Sequence, residues 1–189
     1  MSRKKARQKV ERRKYSMVEI AGFAAIGIFV IGILWLFLSP PPPAGQTMTT
    51  YTPAPDFTLA DVDGNTFRLS DQRGKVVVLV FMRTTCPACV AENPHLTELR
   101  AKFGGDVVML MISIDPTGDT DSVLRDYRNQ NVVGWIAAVD KAGMSTSLGY
   151  EDAQRTTPTI FIIDKNGYMR YRHVGLTQAS ILIGEIEGL

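Results

Sequence analysis

The sequence predicts an α/β domain with a parallel sheet core and an antiparallel edge, preceded by a single transmembrane helix. Three observations carry this. Between residues 53 and 189, short β-branched runs alternate with stretches of helical period, the pattern of parallel strands joined by helices. The alternation closes on a strand–turn–strand signal at Thr159–Val174, which adds the antiparallel edge. Upstream, Ile20–Leu38 contains no charge and no proline.

The apolar segment would form a helix of roughly 28 Å, close to the ~30 Å hydrocarbon core of a bilayer. Glu19 bounds it on one side, and Ser39 with Pro40–Pro43 on the other. It is longer than the apolar core of a cleaved signal peptide, and prolines stand where cleavage would fall, so an uncleaved anchor is expected. Residues 1–14 hold eight basic residues against Glu11, a net +7, whereas the remainder is −5. No Lys or Arg follows Leu38 until Arg68. Basic flanks stay in the cytoplasm. The expectation is therefore a single-pass protein of the cell membrane, with residues 1–19 a cytoplasmic tail and 20–38 the span. Residues 39–52 read as a Pro-rich linker, and 53–189 as an extracytoplasmic domain. With the net positive charge confined to the tail, nothing in the remainder suggests nucleic-acid binding, which would need a basic face on the folded part.

Within the domain, Asp56–Asp61 and Thr66–Leu69 alternate about Asp63-Gly64-Asn65 and predict an entry β-hairpin. Val76–Met82 is a continuous apolar run, as expected of a strand buried on both faces. After Cys86-Pro87 the period becomes helical, with Val90, Leu96, Leu99 and Phe103 leading to Gly104-Gly105 and a kink expected at Pro94. Val107–Ile114 is a second buried strand, Thr120–Gln130 a polar helix, and Trp135–Val139 a third strand. Ala142–Leu148 is weakly helical. Thr159–Ile163 turns through Asp164-Lys165-Asn166-Gly167 into Tyr168–Val174, and Thr177–Glu187 forms a last helix.

The chemistry sits in Cys86-Pro87-Ala88-Cys89, which holds both cysteines of the chain. With no other thiol to pair with, a structural disulfide framework is excluded. The motif lies at a strand-to-helix junction, with Pro87 at the first helical position, where its missing N–H is harmless. Free N–H groups and the helix dipole favour negative charge there and so lower the pKa of Cys86. One turn on, Cys89 can attack a mixed disulfide formed by Cys86 and release the product. Cys86 is thus the attacking thiol and Cys89 the resolving one. Zinc would need about four ligands. Only His95 and His173 remain, about two turns along the helix and in a distant strand, so no metal site is expected.

The segment PDFTLADVDGNTFRLSDQRGKVVVLVFMRTTCPACVAENPHLTEL (55–99) resembles the extracytoplasmic ResA/TlpA-type branch of the thioredoxin superfamily, as does TTPTIFIIDKNGYMRYRHVG (156–175). The likeness covers about residues 53–185. It implies a thioredoxin-like fold and a protein disulfide oxidoreductase with no bound cofactor. Such an enzyme exchanges its dithiol with protein thiol and disulfide substrates, in cytochrome c maturation or envelope redox homeostasis, with a membrane dithiol carrier as redox partner. It further implies that Thr157-Pro158 is a cis-proline loop facing the dithiol and binding substrate backbone, and that Glu92 modulates dithiol protonation. Four positions depart from the pattern. Val80 stands where cytoplasmic thioredoxins bury an Asp, Thr85 where the family usually has Trp, and Arg83-Thr84 is atypical. A peroxiredoxin-like peroxidase and a copper carrier are the competing readings. The first lacks its P-x-x-x-T-x-x-C pattern, and the second uses a motif one residue longer.

Overall fold

The computed structural model describes residues 46–132, 134–144, 150 and 156–189. The expected tail (1–19), span (20–38) and first part of the linker lie outside the described residues, as does most of the weak helix at 142–148. Among the described residues, no helix is long and apolar enough to cross a membrane.

The elements in chain order are β1 (Gln46–Pro53), β2 (Thr58–Ala60), β3 (Thr66–Arg68), β4 (Val76–Met82), α1 (Pro87–Phe103), β5 (Val107–Ser113), α2 (Asp121–Asn131), β6 (Ile136–Val139), β7 (Thr159–Ile163), β8 (Tyr168–Val174) and α3 (Ala179–Glu187). Six strands form one sheet in the order β1-β8-β7-β4-β5-β6. β4, β5 and β6 are parallel, while β7 runs antiparallel to both β4 and β8. β2 and β3 form a separate hairpin. The α/β class with a mixed central sheet is as expected.

One expectation is corrected. The segment read as linker through Thr52 becomes strand from Gln46 onward, pairing antiparallel with β8. Its Thr-rich composition suits an edge strand as well as a flexible spacer. The missing clue was the open edge of β8, which exists only once the sheet has assembled.

Every residue of β4 is buried because the strand is central and both sheet faces are covered. Alternate side chains point to opposite faces. Val76, Val78, Val80 and Met82 pack with Leu96 and Leu99 of α1 and Leu182 of α3. Val77, Leu79 and Phe81 pack with Leu59 and Phe67 of the hairpin and with Tyr150. Phe57, Phe81, Tyr150 and Phe161 join in tilted and edge-to-face ring contacts with centroids 5.2–6.1 Å apart. Arg128 and Arg125 of α2 pair with Asp63, tying the hairpin turn to the helix layer.

Candidate active site

β4 ends at Met82, and the chain crosses four residues before α1 begins at Pro87. Cys86 caps that helix. Its backbone is extended (φ −85°, ψ 114°), and its sulfur accepts the N–H of Cys89 at 3.2 Å. Its carbonyl accepts the N–H groups of Cys89 and Val90 at 3.1 and 3.2 Å. Cys86 is half-buried, while Cys89 on the inner face of α1 is 3% exposed. Pro94 lies inside an uninterrupted helix.

The two thiols are driven apart in acidity. Burial by itself raises Cys86, but hydrogen bonds from the side chains of Cys89 and Thr157 and from the N–H groups of Cys89 and Ala88 outweigh it and leave this thiol below its ordinary value. Cys89 is pushed up to about 12, first by burial and then because its S–H is held by Cys86. A thiolate at Cys86 beside a protonated Cys89 is the favoured pair.

The return segment faces this pair. The Thr157–Pro158 bond is cis, and β7 is registered on β4 so that Thr159 lies opposite Phe81. That brings the Thr157 carbonyl within 3.4 Å of the Cys86 sulfur, which donates to it when protonated. Gly175, at the end of β8, donates its N–H to the Pro158 carbonyl at 2.7 Å, securing the loop from behind. Val90, Val174 and Leu176 are exposed, Val90 one turn of α1 beyond Cys86, and the other two flanking Gly175.

Glu92 is fully buried on α1. Its Oε2 accepts the backbone N–H of Thr177 at 2.8 Å, and its Oε1 has no partner. Burial raises its carboxyl to about 7, with the Thr177 bond opposing. A cavity of about 10 Å³, roughly one water in size, is lined by Cys89, Glu92, Val80, Met82, Leu96 and Pro158. The carboxyl, the resolving cysteine and the cis proline therefore line one small cavity. Val80, which stands where cytoplasmic thioredoxins bury an Asp, borders it too.

His95 and His173 are not gathered with the cysteines. His95 lies partly exposed on α1. His173 stacks on Tyr171 and holds the Leu176 carbonyl at 3.1 Å. Among the described residues, no group of three or more His, Cys, Asp or Glu side chains is arranged to hold a metal.

Two contacts near the dithiol escaped the sequence reading. Asn93 donates its amide to the hydroxyl of Tyr127 on α2 at 2.9 Å, and burial raises that phenol, with the charges of Cys89 and Cys86 adding. Asp119, just before α2, is buried and accepts from Thr84 in the turn that leads to Cys86. Neither residue belongs to a motif of its own. The only signal is a polar residue facing inward, which hydrophobic periodicity does not single out, on α1 for Asn93 and in the loop before α2 for Asp119.

Comparison with known proteins agrees with this geometry. Residues 51–172 match the AhpC/TSA family. The chain is 33% identical over 122 residues to the thiol-disulfide oxidoreductase ResA of Bacillus thuringiensis, covering 65% of this chain and 68% of that one. It is 29% identical over 166 residues to the thiol:disulfide interchange protein DsbE of Vibrio cholerae, covering 86% of each. Among solved structures, the exposed lipoprotein thioredoxin Etrx1 of Streptococcus pneumoniae superposes with a TM-score of 0.60 at 28% identity, over 71% of this chain and 99% of that one.

Proposed function

This chain belongs to the AhpC/TSA family and is a thiol–disulfide oxidoreductase of the ResA and DsbE type with a thioredoxin-like fold, and from that premise we propose that it works as a membrane-anchored enzyme on the outer side of the cell membrane, with Cys86 attacking and Cys89 resolving. The single observation that carries the assignment of roles is the asymmetry of the dithiol. Cys86 is accessible and acidified at a helix start, whereas Cys89 is buried and pushed up to about 12.

In the reductive direction, the Cys86 thiolate attacks one sulfur of a substrate protein's disulfide. A Cys86–substrate bond forms, the substrate S–S bond breaks, and the first substrate thiolate leaves and takes a proton. Cys89 then gives its proton to the Glu92 carboxylate and attacks the Cys86 sulfur. The intramolecular disulfide forms and the second substrate thiolate leaves, so the substrate gains two electrons and the enzyme loses two. Glu92, raised to about 7, can accept and return that proton at neutral pH. The Thr157–Pro158 loop holds substrate backbone beside Cys86. A membrane dithiol carrier restores the reduced pair, and the oxidative direction is the same sequence reversed. The substrates are proteins of the envelope, in cytochrome c maturation or general redox homeostasis, as the ResA-like resemblance implies.

Anchoring through residues 20–38, with residues 1–19 in the cytoplasm, is supported by the apolar run, by the +7 tail and by a DsbE likeness that extends over more of the chain than residues 53–189 supply. Cys89→Ser, challenged with a disulfide-bonded probe protein, is expected to accumulate a mixed disulfide through Cys86 on a non-reducing gel, and Cys86→Ser to give none. Turnover by Cys86→Ser, or no adduct with Cys89→Ser, overturns the assignment. Extraction with alkaline carbonate and protease accessibility from outside the cell test the anchoring separately.

A further inference from the structure

Asp119 is 1% exposed, and no Lys or Arg pairs with it among the described residues. Such a carboxylate is tolerated only where donors satisfy it. Three do. The Thr84 N–H donates to Oδ2 at 3.0 Å, the Thr84 hydroxyl donates to Oδ1, and the Ser113 hydroxyl donates to Oδ2 at 2.5 Å. The Asp119 N–H is held by the Asp115 carbonyl at 2.8 Å, and the Asp115 N–H by Ser113 Oγ at 3.2 Å. The carboxylate is thus fixed to the end of β5 on one side and grips the turn before Cys86 on the other.

That turn sets the position of the sulfur. The Cys86 N–H donates to the Arg83 carbonyl at 3.1 Å, so residues 83–86 form one closed turn with Thr84 inside it. Thr85 is exposed and Thr84 half-buried, so the Thr84–Asp119 clasp ties the middle of the turn to the end of β5, while the Cys86 sulfur at its end meets the Thr157 carbonyl. The atypical Arg83-Thr84-Thr85 sequence thereby acquires a reason: the turn is held from below by a hydrogen-bonded hydroxyl and N–H. We propose that Asp119 is a positioning residue, clamping Thr84 so that Cys86 stays in the helix-capping geometry that makes it reactive.

The inference rests on Cys86 being the attacking thiol. The charged or titratable groups around the dithiol are Cys89 and Glu92 on α1, Tyr127 on α2, Asp119 itself, and Arg83 in the turn. The test is the pH profile of Cys86 alkylation by iodoacetamide in the reduced full-length chain, with the melting temperature recorded alongside. Asp119→Ala is expected to move the profile to higher pH, toward that of a free thiol, and to slow alkylation at pH 7 several-fold. Asp119→Asn keeps an acceptor for the Thr84 N–H and is expected to hold the parent profile or shift it to lower pH, since an anion has been removed. If Asp119→Ala does not fold, Thr84→Ala is expected to shift the profile in the same direction and Thr84→Ser to restore it. An unchanged profile in Asp119→Ala, whatever its melting temperature, overturns the proposal, as does Asp119→Asn failing together with Asp119→Ala. A parent chain whose Cys86 never reacts removes the underlying assignment of roles instead.

Discussion

Glu92 and Thr177, 85 residues apart, meet through a buried 2.8 Å hydrogen bond from the Thr177 N–H to the carboxyl oxygen. The bond joins the active-site helix to the segment that follows β8. It leaves the second carboxyl oxygen without a partner, beside a cavity shared with Cys89. A carboxyl so placed resists ionisation, and that reluctance is measurable as stability.

The sign follows from linkage. Glu92 has a folded pKa of about 7 against 4.5 for the free group. The folded state therefore holds the proton more tightly, and stability declines as pH rises from about 4.5 to about 7, then levels off. The full difference is on the order of 3 kcal/mol. Glu92→Gln keeps the acceptor for Thr177 and cannot ionise, so above pH 7 it is expected to be more stable than the parent by that order, with the two converging near pH 4. Urea unfolding across this range checks it, and parallel curves would contradict the buried carboxyl.

The two thiols should label unequally. In the reduced chain at pH 7, iodoacetamide is expected to modify Cys86 and spare Cys89, because Cys89 is both buried and pushed up to about 12. Peptide mass spectrometry gives the site occupancy directly. Cys89 labelled as fast as Cys86 would mean the dithiol is not polarised as described.

Tyr150 is fully buried among Phe57, Phe81 and Phe161, with its hydroxyl donating to the Pro55 carbonyl at 3.1 Å. Tyr150→Ala should cost about 3–5 kcal/mol, and Tyr150→Phe about 1 kcal/mol from the lost hydrogen bond. Equilibrium denaturation separates them. A loss below 1 kcal/mol for the alanine variant would remove Tyr150 from the core of that face.

Gly175 has φ +95°, a conformation L-residues rarely adopt, while its N–H holds the Pro158 carbonyl at 2.7 Å. A Cβ there meets nothing within 4 Å, so the cost is backbone strain alone. Gly175→Ala is expected to lose about 1 kcal/mol and to slow exchange with a probe disulfide, since relaxing the strain moves the loop beside Cys86. Unchanged turnover with reduced stability would show that the loop tolerates the shift.

Much of this protein is written locally. The Cys-Pro-Ala-Cys spacing, the proline at the helix start, the apolar runs of β4, β5 and β7 and the turn at Asp164–Gly167 each depend on neighbours within a few residues, so period and turn chemistry suffice to read them. The face-sorting of β4, with Val76, Val78 and Val80 toward the helices and Val77, Leu79 and Phe81 toward the hairpin, follows from the alternation of the strand. Tertiary structure decided what depends on distant chain. Gln46–Pro53 is strand only because β8 offers an edge. Glu92 is a buried acid because Thr177 and the sheet close over it. Asp119 reaches the turn before Cys86 because β4 and β5 lie side by side in parallel, which brings the loops at their C-terminal ends together. Burial and charge depend on what lies across the gap, and only assembly of the sheet supplies those neighbours.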